Sequence, residues 1–222
     1  MSKFKAILFD MDGTLIDSSL HWVDANKKFV EIFNVPFVRE LDKIVDGRSL
    51  KEGSQIFKEF HKLPHPVEEI MAHKVSCSES VYTDHALPLV GADDLLRRIK
   101  MQNDKKTAVA SGASLARIKQ IVDRFSWHNY FDTLVSTDHV DYVGKPDPAI
   151  FLYAANELGV LPSECVVIED SENGLTAAKR AGMKCVVRFD NRWSDGDYSS
   201  ADLIVNGLDD KHIYDFLGIK YE

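Results

Sequence analysis

Short apolar runs alternate with helical stretches along most of this 222-residue chain. The runs occupy residues 5–9, 107–110, 133–135, 165–168, 184–187 and, more weakly, 203–205. Between them, apolar positions recur at helical spacing, as at Leu115, Ile118, Ile121 and Val122. Strands that alternate with amphipathic helices are typical of βα units, whose strands pair in parallel. The pattern therefore predicts an α/β fold, with a three-layer core around a parallel sheet.

Residues 18–86 interrupt this alternation. They contain three helical patterns and no convincing strand: Trp22, Phe29, Val30 and Phe33; Ile56, Phe57 and Phe60; and Val67, Ile70, Met71 and Val75. A segment of this length is large enough for a small subdomain. We therefore expect a core domain of residues 1–17 and 87–222, with an all-helical cap subdomain of residues 18–86. Because the chain crosses twice between them, the crossings should form a hinge and the cap a lid over the sheet edge.

The overall composition excludes several classes of partner. A formal charge of −8 argues against nucleic acid or an anionic membrane as the main partner, since both need a basic surface. No apolar stretch approaches the ~18 residues that a membrane span requires, and the N-terminus lacks a secretory apolar region. The three cysteines have no metal-like spacing. We expect a monomeric cytoplasmic protein in a reducing compartment.

Asp10 and Asp12 follow the first predicted strand directly. Two carboxylates beside a buried strand cost free energy unless they serve a purpose. Open α/β sheets carry their chemistry at the carboxyl edge of the strands, which is where this pair lies. One carboxylate there can attack an electrophile while the other transfers a proton, provided that a cation offsets their repulsion.

Three further polar clusters follow later strands. Ser111 and Gly112 precede a helix and resemble an anion-binding nest, Lys145 lies in a Gly- and Pro-flanked loop, and Glu169 and Asp170 follow residues 165–168. Taken alone, each is more typical of a helix cap or a solvated loop. In a parallel sheet, however, all of these strand ends lie on one edge. The clusters are therefore predicted to converge.

The converging side chains suggest a metal and a reaction. The carboxylates outnumber the single cation Lys145, and an all-oxygen ligand set selects Mg²⁺, which leaves positions open for a substrate phosphate. A phosphoryl group held by the nest and Lys145 would face Asp10, whose in-line attack gives an aspartyl-phosphate that water hydrolyses. Asp12 would protonate the leaving oxygen and then deprotonate that water.

With these motifs the chain resembles the haloacid dehalogenase superfamily, in particular the β-phosphoglucomutase-like phosphatase branch with its inserted helical cap. The resemblance rests on residues 10–18, Ser111, residues 144–148, and residues 166–171 with Gly174, Ala177, Ala178, Ala181 and Gly182. It implies a Rossmann-like core in which Asp10 is the nucleophile and a metal ligand. Asp12 would be the general acid/base and would bind the metal through its carbonyl oxygen.

The resemblance also implies roles for the later motifs. Ser111 and Lys145 would hold the phosphoryl group, and Asp170 would bind the metal, with Glu169 as a direct or indirect support. The family's dehalogenases lack an acid at the position of Asp12, so dehalogenation is not expected. Gly112 stands where a polar residue is more common, which removes a side-chain contact near the phosphate.

Substrate selection is expected from the cap. Arg48, which follows the turn at Gly47, could reach a second anionic or hydroxyl-rich group, or could simply be exposed at a helix start. Trp22 stands near the position of a histidine in the resembled mutases, and several phosphatases of the branch carry an aromatic residue there. It therefore favours hydrolysis over isomerisation, although a place in the cap core explains Trp22 equally well.

Three functions follow as hypotheses. The first is a Mg²⁺-dependent phosphatase, a phosphoric monoester hydrolase acting on a small phosphorylated metabolite such as a sugar phosphate. The alternative is a phosphosugar mutase of the β-phosphoglucomutase type, which shares the cap. A phosphoacceptor regulatory module is the third, because receiver domains also combine acids, a hydroxyl and a lysine on a parallel sheet. Asp12 and the inserted cap argue against it.

Overall fold

A computed structural model describes residues 4–102, 104–192 and 194–221 of the chain. Six strands form one parallel sheet in the order β5-β4-β1-β6-β7-β8, and β2 and β3 form a separate antiparallel pair. The strands are β1 Ala6–Phe9, β2 Ile16–Asp17, β3 Leu87–Pro88, β4 Lys106–Ser111, β5 Thr133–Ser136, β6 Cys165–Glu169, β7 Lys184–Arg188 and β8 Leu203–Val205. This arrangement confirms the predicted α/β core with a parallel sheet.

The helices of the described residues fall into two groups along the chain. Those before β3 are α1 Ser19–Ile32, α2 Arg39–Val45, α3 Leu50–His61 and α4 Val67–Ser80, and those after it are α5 Ala92–Gln102, α6 Leu115–Arg124, α7 Ala149–Leu158, α8 Glu172–Arg180 and α9 Lys211–Leu217. None of the helices in the described parts of the chain has the length and apolarity needed to cross a membrane.

Alternating side chains of the central strands bury two apolar layers. In β1, Ile7 and Phe9 pack against one layer, to which α5, α6 and α9 contribute, and Ala6 and Leu8 pack against the other, with α7 and α8. The strand residues of β1 are completely buried. Helices on both faces make near-continuous apolar strands the expected pattern. The three layers leave the carboxyl edge as the place where polar side chains emerge.

The register of the central strands aligns that edge. Phe9 of β1 pairs with Val109 of β4 on one side and with Ile168 of β6 on the other. The residues that follow these positions are therefore level with one another. Because Asp10 directly follows Phe9 and Glu169 directly follows Ile168, their side chains leave the sheet at the same height.

Residues 18–86 contain a small apolar cluster of their own, made of Phe29, Val30, Leu41, Phe57 and Ile70. The three helical patterns in this segment coincide with α1, α3 and α4. The pattern of apolar residues did not predict the short helix α2, because this helix buries a single residue, Leu41. The chain leaves and re-enters the core through β2 and β3, where Asp17 pairs with Leu87. The proposed boundaries of the cap, at residues 18 and 86, lie beside this pair.

Candidate active site

A buried lysine joins two carboxylates at the carboxyl edge of the sheet. Lys145 Nζ donates to Asp10 Oδ1 and to Glu169 Oε1, each at 2.5 Å. Lys145 and Glu169 are 1 % and 0 % exposed, so water screens little of this interaction. Although burial lowers the pKa of Lys145, the two carboxylates raise it above its usual value. Lys145 is therefore a permanent cation between β1 and β6.

Hydrogen bonds from its own loop fix the Glu169 carboxylate. Oε2 accepts from the backbone N–H groups of Asp170 and Ser171, both at 2.9 Å, and from Ser171 Oγ at 3.0 Å. A Cβ at Gly174 would collide with this carboxylate, so only glycine permits the close approach of α8. Since Oε1 already accepts from Lys145, both oxygens of Glu169 are engaged. The carboxylate therefore orients Lys145 and the backbone of its own loop.

Asp10, Glu169 and Asp170 bring carboxylate oxygens within 4.8 Å of one another. A Cβ at Gly13 would lie 2.7 Å from Asp170 Cγ, so this glycine, at φ +74°, leaves the space that the Asp170 carboxylate fills. Burial raises the pKa of Asp10 and of Asp170 well above the usual range, and the neighbouring carboxylates act in the same direction. The cluster has a surplus of negative charge that Lys145 does not balance.

The Asp12 carboxylate is held by three hydrogen bonds from the helical segment. Its Oδ1 accepts from Ser18 Oγ at 2.7 Å and from Trp22 Nε1 at 3.0 Å, and its Oδ2 accepts from Tyr82 OH at 2.9 Å. Burial raises the pKa of Asp12, whereas these three hydrogen bonds lower it. Trp22 is thus neither plain cap core nor free to meet a ligand with its N–H group.

Ser111 and Gly112 lie where β4 ends. Ser111 is 2 % exposed, and its hydroxyl accepts from the Ala113 N–H at 3.2 Å. A Cβ built on Gly112 would lie 3.0 Å from the Arg48 carbonyl oxygen and 3.1 Å from that of Gly47. The missing side chain of Gly112 therefore gives room to the loop of the helical segment, a role that the sequence did not reveal.

That loop is tied to the core by backbone groups. The Lys145 N–H donates to the Gly47 carbonyl at 3.2 Å, and the Gly144 N–H donates to Glu52 Oε2 at 2.7 Å. Glu52 also forms the capping box of α3 with Ser49. Arg48 is among the residues that line the cavity, and its Nε donates to the Ile44 carbonyl at 2.7 Å. Arg48 contributes to the contact with the core through its backbone.

A cavity of about 540 Å³ lies between the sheet edge and the helical segment, and Asp10, Asp12, Ser111 and Lys145 line it together with Asp170. On its helical side, residues of three helices form a polar network. Asn26 donates to Asp42 and accepts from Lys74, so the amide bridges an acid and a base.

Burial in this network changes the pKa of Lys74 and of Asp42. Burial lowers the pKa of Lys74 to about 8, although the Asp42 carboxylate opposes this change. Burial likewise raises the pKa of Asp42. The Lys74 ammonium lies 5.0 Å from the ring centre of Phe29 and 5.5 Å from that of Trp22. A ligand that entered this end of the cavity would meet polar groups set among aromatic rings.

Sequence reasoning missed Tyr82, Asn26, Asp42, Lys74 and Glu52. Glu52 stands in a capping-box pattern with Ser49, which predicts a helix start and not a contact with Gly144. The other four belong to no compact motif, and their partners lie 16 to 70 residues away. Tyr82 lies 70 residues from Asp12, and Lys74 lies 48 residues from Asn26. The one available signal was the presence of polar residues on otherwise apolar helical stripes, which is too common in surface helices to identify a site.

A family model described as haloacid dehalogenase-like hydrolase matches residues 4–182. The chain belongs to this family. The match spans all the residues of the sheet edge described above. It confirms the expected resemblance and the predicted class of enzyme, a phosphoric monoester hydrolase of the haloacid dehalogenase family.

Individual relatives of this hydrolase carry more specific names. A phosphorylated carbohydrates phosphatase of Thermotoga maritima is 29% identical over 192 residues, which cover 86% of this chain and 88% of that protein. A β-phosphoglucomutase of Bacillus subtilis is 30% identical over 189 residues, which cover 82% of each chain. The crystal structure of CbbY from Rhodobacter sphaeroides in complex with phosphate aligns at a TM-score of 0.77 and 27% identity, covering 92% of this chain and 95% of that one.

Proposed function

We propose that this hydrolase is a Mg²⁺-dependent phosphatase that releases phosphate from a small, hydroxyl-bearing phosphomonoester through a phosphorylated Asp10. The observation that carries the proposal is the position of Lys145. Its Nζ lies 2.5 Å from Asp10 Oδ1, and Lys145 lines the same cavity as Ser111 and Asp12. A nucleophile, a fixed cation and a second carboxylate thus share one enclosed space.

The carboxylate cluster suits a hard divalent cation. Its members offer oxygen atoms alone, which Mg²⁺ prefers. Burial raises the pKa of Asp10 and Asp170, and the neighbouring carboxylates raise it further. Asp10 and Asp170 would hold the metal directly. Glu169, whose oxygens already accept from Lys145 and its own loop, would support them. The bound metal would neutralise charge on the transferring phosphoryl group.

The chain's own groups divide the reaction into two steps. An Asp10 oxygen attacks phosphorus, a new P–O bond forms, and the bond to the leaving oxygen breaks. Ser111 and Lys145 hold the phosphoryl oxygens, and Asp12 gives its proton to the leaving oxygen. Asp12 then takes a proton from water, which attacks the phosphorus of phosphorylated Asp10 and releases inorganic phosphate with the carboxylate restored.

The helical side of the cavity supports a hydroxyl-bearing leaving group. Asn26, Asp42 and Lys74 offer donors and acceptors, and the Asp42 carboxylate lies close to both Lys74 and Arg39. Such a mixed set of donors and acceptors suits sugar hydroxyls, which both donate and accept hydrogen bonds. The name of the Thermotoga maritima relative, a phosphorylated carbohydrates phosphatase, agrees with this substrate class.

A phosphosugar mutase is the second candidate, and the similarity to the Bacillus subtilis β-phosphoglucomutase favours it. A mutase must hold a bisphosphate, with its second phosphate on the helical side while the first meets Asp10. The Asp42 carboxylate on that side would repel a second phosphate, and this observation weighs against the mutase. We therefore place hydrolysis first.

Phosphate release from a panel of sugar phosphates, nucleotides and phosphoglycolate tests the proposal, with Mg²⁺ and with a chelator. We expect release that depends on Mg²⁺ and that Asp10→Asn abolishes, while the exposed Asp215→Asn, a matched change of one carboxylate, has no effect. Phosphate release unchanged by Asp10→Asn would refute the proposal. Bisphosphate-dependent isomerisation of glucose 1-phosphate faster than phosphate release would establish the mutase. A long-lived phosphorylated Asp10 without turnover would indicate a regulatory module.

A further inference from the structure

The three donors that hold Asp12 come from two parts of the helical segment, the start of α1 and the end of α4. Ser18 precedes α1, Trp22 lies in its first turns, and Tyr82 lies in a π-helical turn, Val81–His85, that continues α4. Asp12 itself belongs to the loop after β1. The residue that carries out proton transfer in the proposed function is therefore held from the segment above the cavity. Turns of π-helix inside longer helices occur frequently at functional sites.

Tyr82 is in turn fixed by the core. Arg124 of α6 donates to its carbonyl oxygen at 2.8 Å, and the guanidinium of Arg117, also in α6, lies 5.5 Å from its ring centre. Arg117 also pairs with Glu79 in the last turn of α4. Tyr82 is 3 % exposed. Its hydroxyl consequently has a defined position relative to β1 and not only relative to its own helix.

Trp22 and Tyr82 also restrain each other. Their rings meet edge to face, with centroids 5.8 Å apart and an angle of 81° between planes. An indole N–H can only donate, and with Ser18 it occupies one oxygen of Asp12, whereas the Tyr82 hydroxyl occupies the other. With both oxygens engaged from different directions, the carboxylate cannot turn about its own axis without breaking a hydrogen bond.

We propose that Tyr82 is a positioning residue for Asp12: together with Trp22 it holds the carboxylate in the orientation that proton transfer to the leaving oxygen requires. The inference rests on the proposed function, since it concerns the acid of that reaction. It assigns the π-helical turn a task in catalysis and makes proton transfer depend on how α4 sits against α6.

The leaving group provides a readout that a merely structural role would not change. A sugar alkoxide needs a proton as it departs, whereas p-nitrophenolate leaves readily without one. The ratio kcat/KM reports only the steps up to departure of the leaving group when that step is irreversible, so the later attack of water does not enter. We expect Tyr82→Phe to lower kcat/KM about 10- to 10²-fold for a sugar phosphate and less than about threefold for p-nitrophenyl phosphate.

The chain offers matched controls for both changes. Tyr214 OH donates to Asp94 at 3.3 Å and Trp127 Nε1 donates to Asp93 at 2.6 Å, both away from the cavity. Tyr214→Phe removes a hydroxyl and Trp127→Phe an indole N–H from buried aromatic residues, as Tyr82→Phe and Trp22→Phe do. Both control variants should leave kcat/KM unchanged for the sugar phosphate and for p-nitrophenyl phosphate. Trp22→Phe is a second test of the proposal if Tyr82→Phe does not fold, and it should show the same preference for the better leaving group.

A double mutant separates action through Asp12 from a general loss. Asp12→Asn alone should lose more on the sugar phosphate than Tyr82→Phe does, and adding Tyr82→Phe should cost nothing further. Equal losses on both substrates, no loss at all, or additive losses in the double mutant would each overturn the positioning role. Phosphate release that survives Asp10→Asn would instead overturn the proposed function, so the two failures are distinguishable.

Discussion

The two walls of the cavity are built by different means. The wall at the sheet edge consists of residues that follow paired strands, so backbone register places Asp10 beside Glu169, and buried charges at 2.5 Å fix their orientation. The opposite wall consists of side chains from separate helices, such as Asn26 and Lys74, which only packing brings together. The contrast indicates that strand pairing places the nucleophile and its cation, whereas helix packing places the donors that hold Asp12 and the groups that face the leaving group.

The two walls meet through contacts that glycine makes possible. A Cβ on Gly144 would lie 2.6 Å from Arg48 Cα, and Gly112 faces the carbonyl groups of Gly47 and Arg48. Asn173 of α8 also donates to the Asp46 carbonyl at 2.8 Å. These contacts reach the loop mainly through its backbone, and the exception is the Glu52 carboxylate, which accepts from the Gly144 N–H.

The largest effect is expected at the sheet edge. Asp10→Asn should lower kcat by more than about 10³-fold for every substrate, because the nucleophile is lost whatever the leaving group. Rates of phosphate release from a sugar phosphate and from p-nitrophenyl phosphate check this. A loss confined to one of them would show that the sheet edge also selects substrates, which would remove the contrast between the walls.

Lys145→Met should lower kcat about 10²- to 10³-fold, as expected for removal of a charged group that holds the phosphoryl oxygens. It also leaves Asp10 and Glu169 without their shared cation. In a chelator, the free energy of unfolding should therefore fall by about 3–5 kcal/mol near neutral pH, and Mg²⁺ should recover part of it. Urea unfolding with and without Mg²⁺ measures this, with Lys211→Met on the exposed start of α9 as control. Equal stability of Lys145→Met and wild type would contradict the role of the buried cation.

The same contrast explains which residues of the site could be predicted from the sequence. Asp10, Ser111 and Asp170 each stand at or beside the end of an apolar strand, so a local pattern together with the rule for parallel sheets predicted their convergence. Tyr82 has no such signal. Its contact with Asp12 depends on how a π-helical turn sits against α6, and that position results from packing over the whole helical segment.

The contact between the walls should respond to Gly144→Ala. The added methyl group would overlap the backbone of Arg48 and Ser49, so the loop would have to retreat. If the loop moves by about 1 Å, Gly144→Ala should lower the rate roughly 10²-fold. Gly53→Ala in α3, whose Cβ would meet nothing nearer than 3.6 Å, is the matched control and should be neutral or slightly stabilising. Activity and melting temperature measured together distinguish a retreating loop from a failure to fold.

The smallest effect is expected on the helical wall and is selective. Lys74→Met should raise KM for a sugar phosphate about 10-fold, the range for losing one charged hydrogen bond, and leave p-nitrophenyl phosphate nearly unaffected. Burial lowers the pKa of Lys74 to about 8, so its charge is present below that pH and is lost above it. The KM of the wild type for the sugar phosphate should therefore rise as the pH increases past 8. The KM of Lys74→Met should not show this rise. If both enzymes showed the same rise, the titrating group would lie elsewhere, and the helical wall would not select the substrate through Lys74.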